Sequence, residues 1–271
     1  MNDKRISTIY ENIIGYGYDT ALKECKGGYP DKEDCTWYHG NWMLLRYLGV
    51  VSNPYWHETF YKKALDMIQS DNIKKVLVAG TADFSMPLFC YDFGIKEIDI
   101  CDICNTPLIV CKKVSEILKC EWKTFVQDIC KELPFRYMAI VNDAFLSRFM
   151  DKSKPLKGIA DALDPGGYYI TTLKIGEWNR GGEVDDPIRD DFIKKVESRY
   201  EQKKTVFPEI DIKNIAETYI AKMTSFPVEG EQEINNLFHK AGLEILAMDK
   251  HSVVGEYEKT EYVGIISQKN I

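Results

Sequence analysis

No stretch of this sequence is apolar over the length needed to cross a bilayer, and its opening, MNDKRISTIYENIIGYG, holds no hydrophobic run of the signal-peptide kind. A membrane partner is therefore not expected, and a cytoplasmic protein is. Basic charge is not in excess either: 35 Lys and Arg stand against 42 Asp and Glu, a formal net charge of −7, with the two signs interspersed. That leaves no electrostatic footprint for nucleic acid. A small-molecule substrate fits better. Histidine is scarce, with four in 271 residues, and the one C-x-x-C, Cys101 to Cys104, has neither a second C-x-x-C nor a histidine pair to complete a metal site. No metal is expected. The eight cysteines, Cys25, Cys35, Cys90, Cys101, Cys104, Cys111, Cys120 and Cys130, read as reduced thiols, several of them inside apolar patterns where a thiol behaves as a small hydrophobe. Nothing in the composition sets an oligomeric state.

What is present suffices for a folded core: 45% of residues are hydrophobic and 28% charged. Residues 1–70 read as a helical, aromatic-rich cap, with Tyr10, Tyr16, Tyr18, Tyr29, Trp37, Tyr38, Trp42, Tyr47, Tyr55, Trp56, Phe60 and Tyr61. One helix carries Trp42 and Leu45 and stops at Leu48-Gly49, before Ser52-Asn53-Pro54; Pro54 opens the next, which runs to about Gln69.

From Lys74 the pattern changes to short apolar runs alternating with helical ones. KKVLVAG is a buried parallel strand, MPLFCYDFG a helix ending at Gly94, EIDICD a second strand, and PLIVCKKVSEILK a helix with proline near its first turn. WKTFVQD and FRYMAIVND are strands three and four; KPLKGIADAL is a helix stopped by Asp164-Pro165-Gly166-Gly167, and YYITTLKI is strand five. This alternation predicts a mostly parallel sheet with right-handed crossovers. About 176–226 the alternation is interrupted by an insertion with helical stretches near 187–204 and 211–223. A helix over EGEQEINNLFHKAG follows, then LEILAMDKHSV and TEYVGIISQ, two strands with no helix between them. They predict a terminal antiparallel hairpin.

Ligands of such sheets bind outside the carboxyl ends of the strands, so the residues just after each strand carry the functional expectation. After strand one come Ala79, Gly80, Thr81, Ala82 and Asp83, where Gly80 and the small Ala82 let a ligand approach the backbone. The full G-x-G-x-x-G is absent, which suits a nucleoside without a pyrophosphate better than a dinucleotide. Asp102 ends strand two, 22 residues beyond Gly80, where a carboxylate accepts both hydroxyls of a ribose; as a helix cap it would do structural work instead, and the two roles are compatible. Asp128 ends strand three, and Asn142 and Asp143 end strand four.

In order and placement these motifs resemble those of the class I S-adenosylmethionine-dependent methyltransferases. VLVAGTADF stands where that family has V-L-D-x-G-x-G-x-G, ICDIC at its acidic second-strand end, VQDI at its adenine-contacting segment, and LDPGGYYI at its L-x-P-G-G. Val78 replaces the usual acidic residue, and Ala82 and Phe84 replace two glycines. The resemblance implies an α/β, Rossmann-like sheet of seven strands over residues 71–271, with the N-terminal cap and the insertion as additions. It also implies S-adenosyl-L-methionine as cofactor. Ala79, Gly80, Thr81, Ala82 and Asp83 would lie along it, Asp102 and Ile103 at the ribose, Asp128 and Ile129 at the adenine, and Asn142 near the reacting end. The segments Ala79–Asp83 and Asp102–Leu108 are further similar to a bacterial biosynthetic-type subgroup.

Methyl transfer is an in-line displacement that asks chiefly for alignment and dryness. A base serves only a protonated nucleophile, and the candidates are His57, His39, Asp143 and Tyr18, with His251 a further histidine. Each histidine also has a plain reading as a packed, hydrogen-bonded side chain. Tyr16, Tyr18, Trp37 and Tyr38 are candidate lid residues, Arg46 a candidate for gripping a carboxylate, and Arg180, Gly181 and Gly182 a closing loop. Two other functions stay open: an enzyme that cyclises or transfers the aminocarboxypropyl chain of the same cofactor, as in azetidine-2-carboxylate formation, and a non-catalytic cofactor-binding or partner protein. The missing phosphate-cradling glycines count against a nicotinamide dehydrogenase.

Overall fold

The structure, a computed structural model, describes residues 4–27, 32–176, 184–203, 210–255 and 259–271. Three helices come first: α1 (Lys4–Glu24), α2 (Lys32–Tyr47) and α3 (Glu58–Ser70). Gly49, at φ +68, turns the chain out of α2, and a short 3-10 turn at Pro54–His57 leads into α3. Asn53 caps that turn by accepting from the Tyr55 amide at 3.1 Å.

Strands and helices then alternate: β1 (Lys75–Ala79), α4 (Ser85–Asp92), β2 (Glu97–Asp102), α5 (Asn105–Leu118), β3 (Trp122–Val126), β4 (Tyr137–Val141), α6 (Ser153–Ala162) and β5 (Leu163–Ile175). The segment after β5 carries α7 (Asp186–Glu201) and α8 (Ile212–Lys222), and α9 (Glu231–Lys240) precedes β6 (Leu243–Val253) and β7 (Thr260–Lys269). The sheet has seven strands in the order β3-β2-β1-β4-β5-β7-β6. Neighbours among β1 to β5 are parallel, whereas β7 runs antiparallel to both β5 and β6. The chain therefore doubles back once, by the expected hairpin, and slots β7 between β5 and β6.

Alternation along the strands sorts side chains into two cores. Val76, Val78, Ile98, Ile100 and Val141 face a cluster shared with α1 to α5, α7 and α8. Leu77, Ala79, Cys101, Ile140 and Leu173 face a second cluster completed by Leu156 and Ile159 of α6 and Phe238 of α9. The N-terminal helices and the insertion thus cover one face of the sheet, and α6 with α9 cover the other.

One segment departs from expectation. Asp164-Pro165-Gly166-Gly167 is the irregular first part of β5 and not a separate turn, because Leu163 already pairs with Tyr137 and the register shifts before Ala139 meets Tyr168. Gly166 takes φ +77, and a Cβ on Gly167 would lie 2.9 Å from the Asp164 carbonyl and 3.0 Å from that of Tyr137. Strand and kink coexist there because these two glycines carry no side chain.

Candidate active site

The ends of β1 to β4 form the floor of two adjoining cavities. The first lies over β1, β2 and β3 and is lined by Gly80, Thr81, Ala82, Asp102, Ile103, Gln127, Asp128 and Ile129 from below, with Tyr38 and His39 of α2 above. The second lies over β1 and β4 and is roofed by Tyr38, Trp42 and Arg46 of α2 and Tyr219 of α8, with Asn142 and Asp143 on its floor. Tyr38, Gly80, Phe145 and Arg148 line both.

Gly80 sits at φ +68 with its N–H donating to the Cys101 carbonyl at 2.8 Å, and a Cβ there would fall 2.1 Å from the Phe145 ring. The glycine is thus required by both backbone and space. At the end of β2, Asp102 Oδ1 accepts from the Cys104 amide at 2.8 Å, and the Thr81 amide also donates to its carboxylate. Burial pushes its acid up to about 7, against the opposing pull of His39 and the two amides. A carboxylate has four acceptor sites, so two remain for a ligand's hydroxyls. Asp128 Oδ1 accepts from the Cys130 amide at 2.9 Å, an Asx turn that leads the chain from β3 past the cavity.

Around the second cavity the polar groups are nearly all buried. Asp143 accepts from Thr172 Oγ1 at 2.9 Å, Tyr61 Oη at 3.3 Å and Ser52 Oγ at 3.3 Å, with Arg46 Nη2 at 3.7 Å. Asn142 Oδ1 accepts from Thr171 Oγ1 at 2.6 Å and Tyr169 Oη at 3.2 Å. Its Nδ2 is buried with no partner among the described residues, as is Nε1 of Trp42. Trp42 in the roof and Asn142 on the floor thus each bring a buried, unpaired donor to the residues that line this cavity. Trp42 also belongs to an aromatic run, 4.8 Å from Tyr38 and 6.1 Å from Tyr219 between ring centroids, with the Arg46 guanidinium 5.6 Å from its own centroid. Arg148 crosses between the cavities, donating to the Thr224 carbonyl at 2.7 Å and lying 5.9 Å from the Tyr38 ring centroid.

Several expected site residues lie elsewhere. Ala79 is wholly buried in the core beneath the sheet and lines neither cavity. Asp83 turns away from the cleft: its Oδ1 accepts from Arg46 Nη1 at 2.7 Å and from the Ser85 amide at 2.8 Å, so the carboxylate starts α4 and neutralises Arg46. Tyr18 stands on the outer side of α1, 47% exposed and outside both cavities. His57 is buried behind Asp143, 2.6 Å from His251 Nε2 through Nδ1, and burial pushes it down to about 4. The ring lines neither cavity, so it does not touch a ligand bound in them. His39 does line the first cavity, but its Nδ1 faces Cys25 and Cys35, each sulfur 3.5 Å away. Of the expected lid residues Tyr38 lines both cavities, Tyr16 is 39% exposed on α1, and Trp37 packs against the core. Tyr29, Arg180, Gly181 and Gly182 lie outside the described residues.

Sequence reasoning overlooked Phe145, Arg148 and Tyr219. Phe145 opens a 3-10 turn entered through Ala144 at φ +51, three residues past β4, and an aromatic just beyond Asn142-Asp143 was the available signal. Tyr219 comes from the insertion, whose docking no local pattern reveals.

A seven-stranded sheet of this order, with β7 alone reversed and a cleft over the carboxyl ends of β1 to β4, is the fold of the class I S-adenosylmethionine-dependent methyltransferases. Solved structures agree at low sequence identity. Magnesium protoporphyrin IX methyltransferase from Synechocystis PCC 6803, solved with bound S-adenosylhomocysteine, matches with a TM-score of 0.50 and 13% identity over 80% of this chain and 84% of that one. The [4+2]-cyclase SpnF matches with a TM-score of 0.51 and 10% identity over 98% of this chain and 95% of that one. No family model matches the sequence, and no curated protein does.

Proposed function

We propose that this chain is an S-adenosylmethionine-dependent methyltransferase acting on a small molecule, of the biosynthetic kind. The observation that carries the reading is that Gly80, Asp102 and Asp128, the ends of three adjacent parallel strands, line a single cleft. In that cleft Asp102 would accept the ribose hydroxyls, Asp128 and Ile129 would flank the adenine, and the Gly80–Ala82 backbone would pass along the rest of the cofactor. The cofactor, when bound, supplies a methyl group on a sulfonium. The chain's own part is to align and to exclude water. The buried donors of Trp42 and Asn142 suit a carboxylate or carbonyl in the second cavity, and the rings of Tyr38, Trp42 and Tyr219 suit a cationic or flat apolar group. Asp143, on the floor of that cavity, is the residue placed to take a proton from a nucleophile that carries one.

A fold shared with a cyclase does not fix the reaction, so the product must. The purified chain would be incubated with S-adenosylmethionine and a panel of small-molecule acceptors, and the spent cofactor weighed by mass spectrometry. Acceptor-dependent S-adenosylhomocysteine is the expected product. Methylthioadenosine in its place would assign cyclisation or aminocarboxypropyl transfer, and an unchanged cofactor that does not bind would sink both enzyme readings and support a non-catalytic protein.

A further inference from the structure

Four side chains that methyl transfer does not need converge where the N-terminal helices meet the sheet. Cys25 follows the last turn of α1, Cys35 and His39 stand one turn apart on α2, and Cys104 precedes α5. All four are buried, and their donor atoms lie within 4.8 Å of one another. Cys104 Sγ is 3.7 Å from Cys25 Sγ and 3.7 Å from Cys35 Sγ, while His39 Nδ1 is 3.5 Å from each of those two sulfurs. A tetrahedral zinc with bonds of about 2.3 Å to sulfur and about 2.0–2.1 Å to nitrogen has S···S edges of about 3.8 Å and S···N edges of about 3.5–3.6 Å. Four of that tetrahedron's six edges match, and the remaining two, Cys25 to Cys35 and Cys104 to His39, lie within 4.8 Å.

A disulfide would bring two sulfurs to about 2.05 Å, and all eight cysteines are free thiols. Nor do these thiols pack like the buried Cys90 and Cys111, which belong to the main apolar core; with Ala21 they form a small cluster of their own. Thr106 Oγ1 lies 3.1 Å from Cys25 Sγ and 3.5 Å from Cys104 Sγ, placed to donate to a thiolate as an outer partner of a metal would.

We propose that Cys25, Cys35, His39 and Cys104 bind one zinc ion in a closed structural site. With all four positions filled by the protein, none is left for water or substrate, so the ion's work is to hold α1 and α2 against the loop after β2. That loop carries Asp102, two residues before Cys104, and His39 lines the same cavity as Asp102. The metal would thus fix the lid over the cleft that the methyltransferase reading uses, though the zinc site stands on its own geometry and does not rest on that reading. On this proposal the expectation of no metal gives way, for a physical reason. Cys101 points into the core beneath the sheet and is no partner of Cys104, whose real partners lie 65 or more residues earlier in the chain.

The test is elemental analysis of the full chain, expressed with zinc supplied and purified under reducing conditions without chelator. One zinc per chain is expected, with loss in Cys35→Ser and Cys104→Ser and retention in Cys111→Ser. Because the ligand variants can fail to fold, the wild-type chain is also stripped and titrated with cobalt(II). Intense visible d–d bands and a thiolate-to-cobalt charge-transfer band are expected, both abolished by stoichiometric zinc. Iron in place of zinc, or neither bound zinc nor a tetrahedral cobalt spectrum, overturns the proposal.

Discussion

Arg46 Nη1 lies 2.7 Å from Asp83 Oδ1, with the arginine side chain 6% exposed and the aspartate 0%. This pair ties α2 to the loop after β1 and fixes the wall of the second cavity. Burial disfavours the guanidinium, but Asp83, with Asp143 behind it, more than offsets that and raises it further. Arg46 also donates to the Ser52 carbonyl at 2.7 Å and to Ser85 Oγ, so one side chain joins four segments.

Breaking such a pair strands a buried charge. Arg46→Met should cost about 3–5 kcal/mol of stability by leaving Asp83 unpaired in the core. Adding Asp83→Leu should return part of that loss, since the stranded carboxylate is then gone. Urea unfolding of the two variants against wild type checks both values.

Gly80→Ala should destabilise the chain by at least about 1–2 kcal/mol from its left-handed backbone alone. The collision with the Phe145 ring, at 2.1 Å from the added Cβ, comes on top. Phe145→Ala in the same chain should relieve the collision and leave the backbone strain. Melting temperatures of Gly80→Ala, Phe145→Ala and the double variant separate the two contributions.

His57 and Asp102 pull the pH dependence in opposite directions: Asp102, held up to about 7 by burial, takes its proton first in the folded chain and adds stability as pH falls, whereas His57 does the reverse. The His57 ring faces Asp143 Oδ1 at 3.7 Å, His251 at 2.6 Å, and the rings of Tyr61 and Tyr262. Burial holds it down to about 4, whereas in the unfolded chain it titrates near its ordinary value of about 6.5. Between those values the unfolded state binds the extra proton. This residue's contribution to stability should therefore fall as pH drops from about 6.5 to 4, by up to about 1.4 kcal/mol per pH unit. His57→Gln should remove this contribution, so the variant gains stability relative to wild type as pH falls through that window, read as the difference between the two chains' denaturant unfolding at successive pH values.

The sheet was legible because its signals are local: VLVA, IDIC and YITTL are short runs buried at every position, as strands covered on both faces must be, and the absence of a helix between β6 and β7 announced the hairpin. The strand-end residues were legible for the same reason, as Asp102 and Asp128 follow their strands directly. What escaped was everything set by packing between distant segments. Asp83 looked like a cofactor residue until Arg46, 37 positions away, was seen to claim it. His57 looked like a base, and its burial behind Asp143 is not written in its neighbours. The Cys25, Cys35, His39 and Cys104 cluster draws on α1, α2 and the loop after β2, so no single spacing could reveal it.

The cleft over β1, β2 and β3 should hold an adenosyl cofactor through Asp102. Calorimetric titration of the wild-type chain with S-adenosylmethionine, S-adenosylhomocysteine and NAD, repeated on Asp102→Ala, tests it most directly. Both adenosyl sulfur compounds should bind, NAD should not, and the variant should lose about 1.5–3 kcal/mol of affinity while staying folded. Binding of NAD alone, no binding at all, or an Asp102→Ala chain that binds as well as wild type would contradict it.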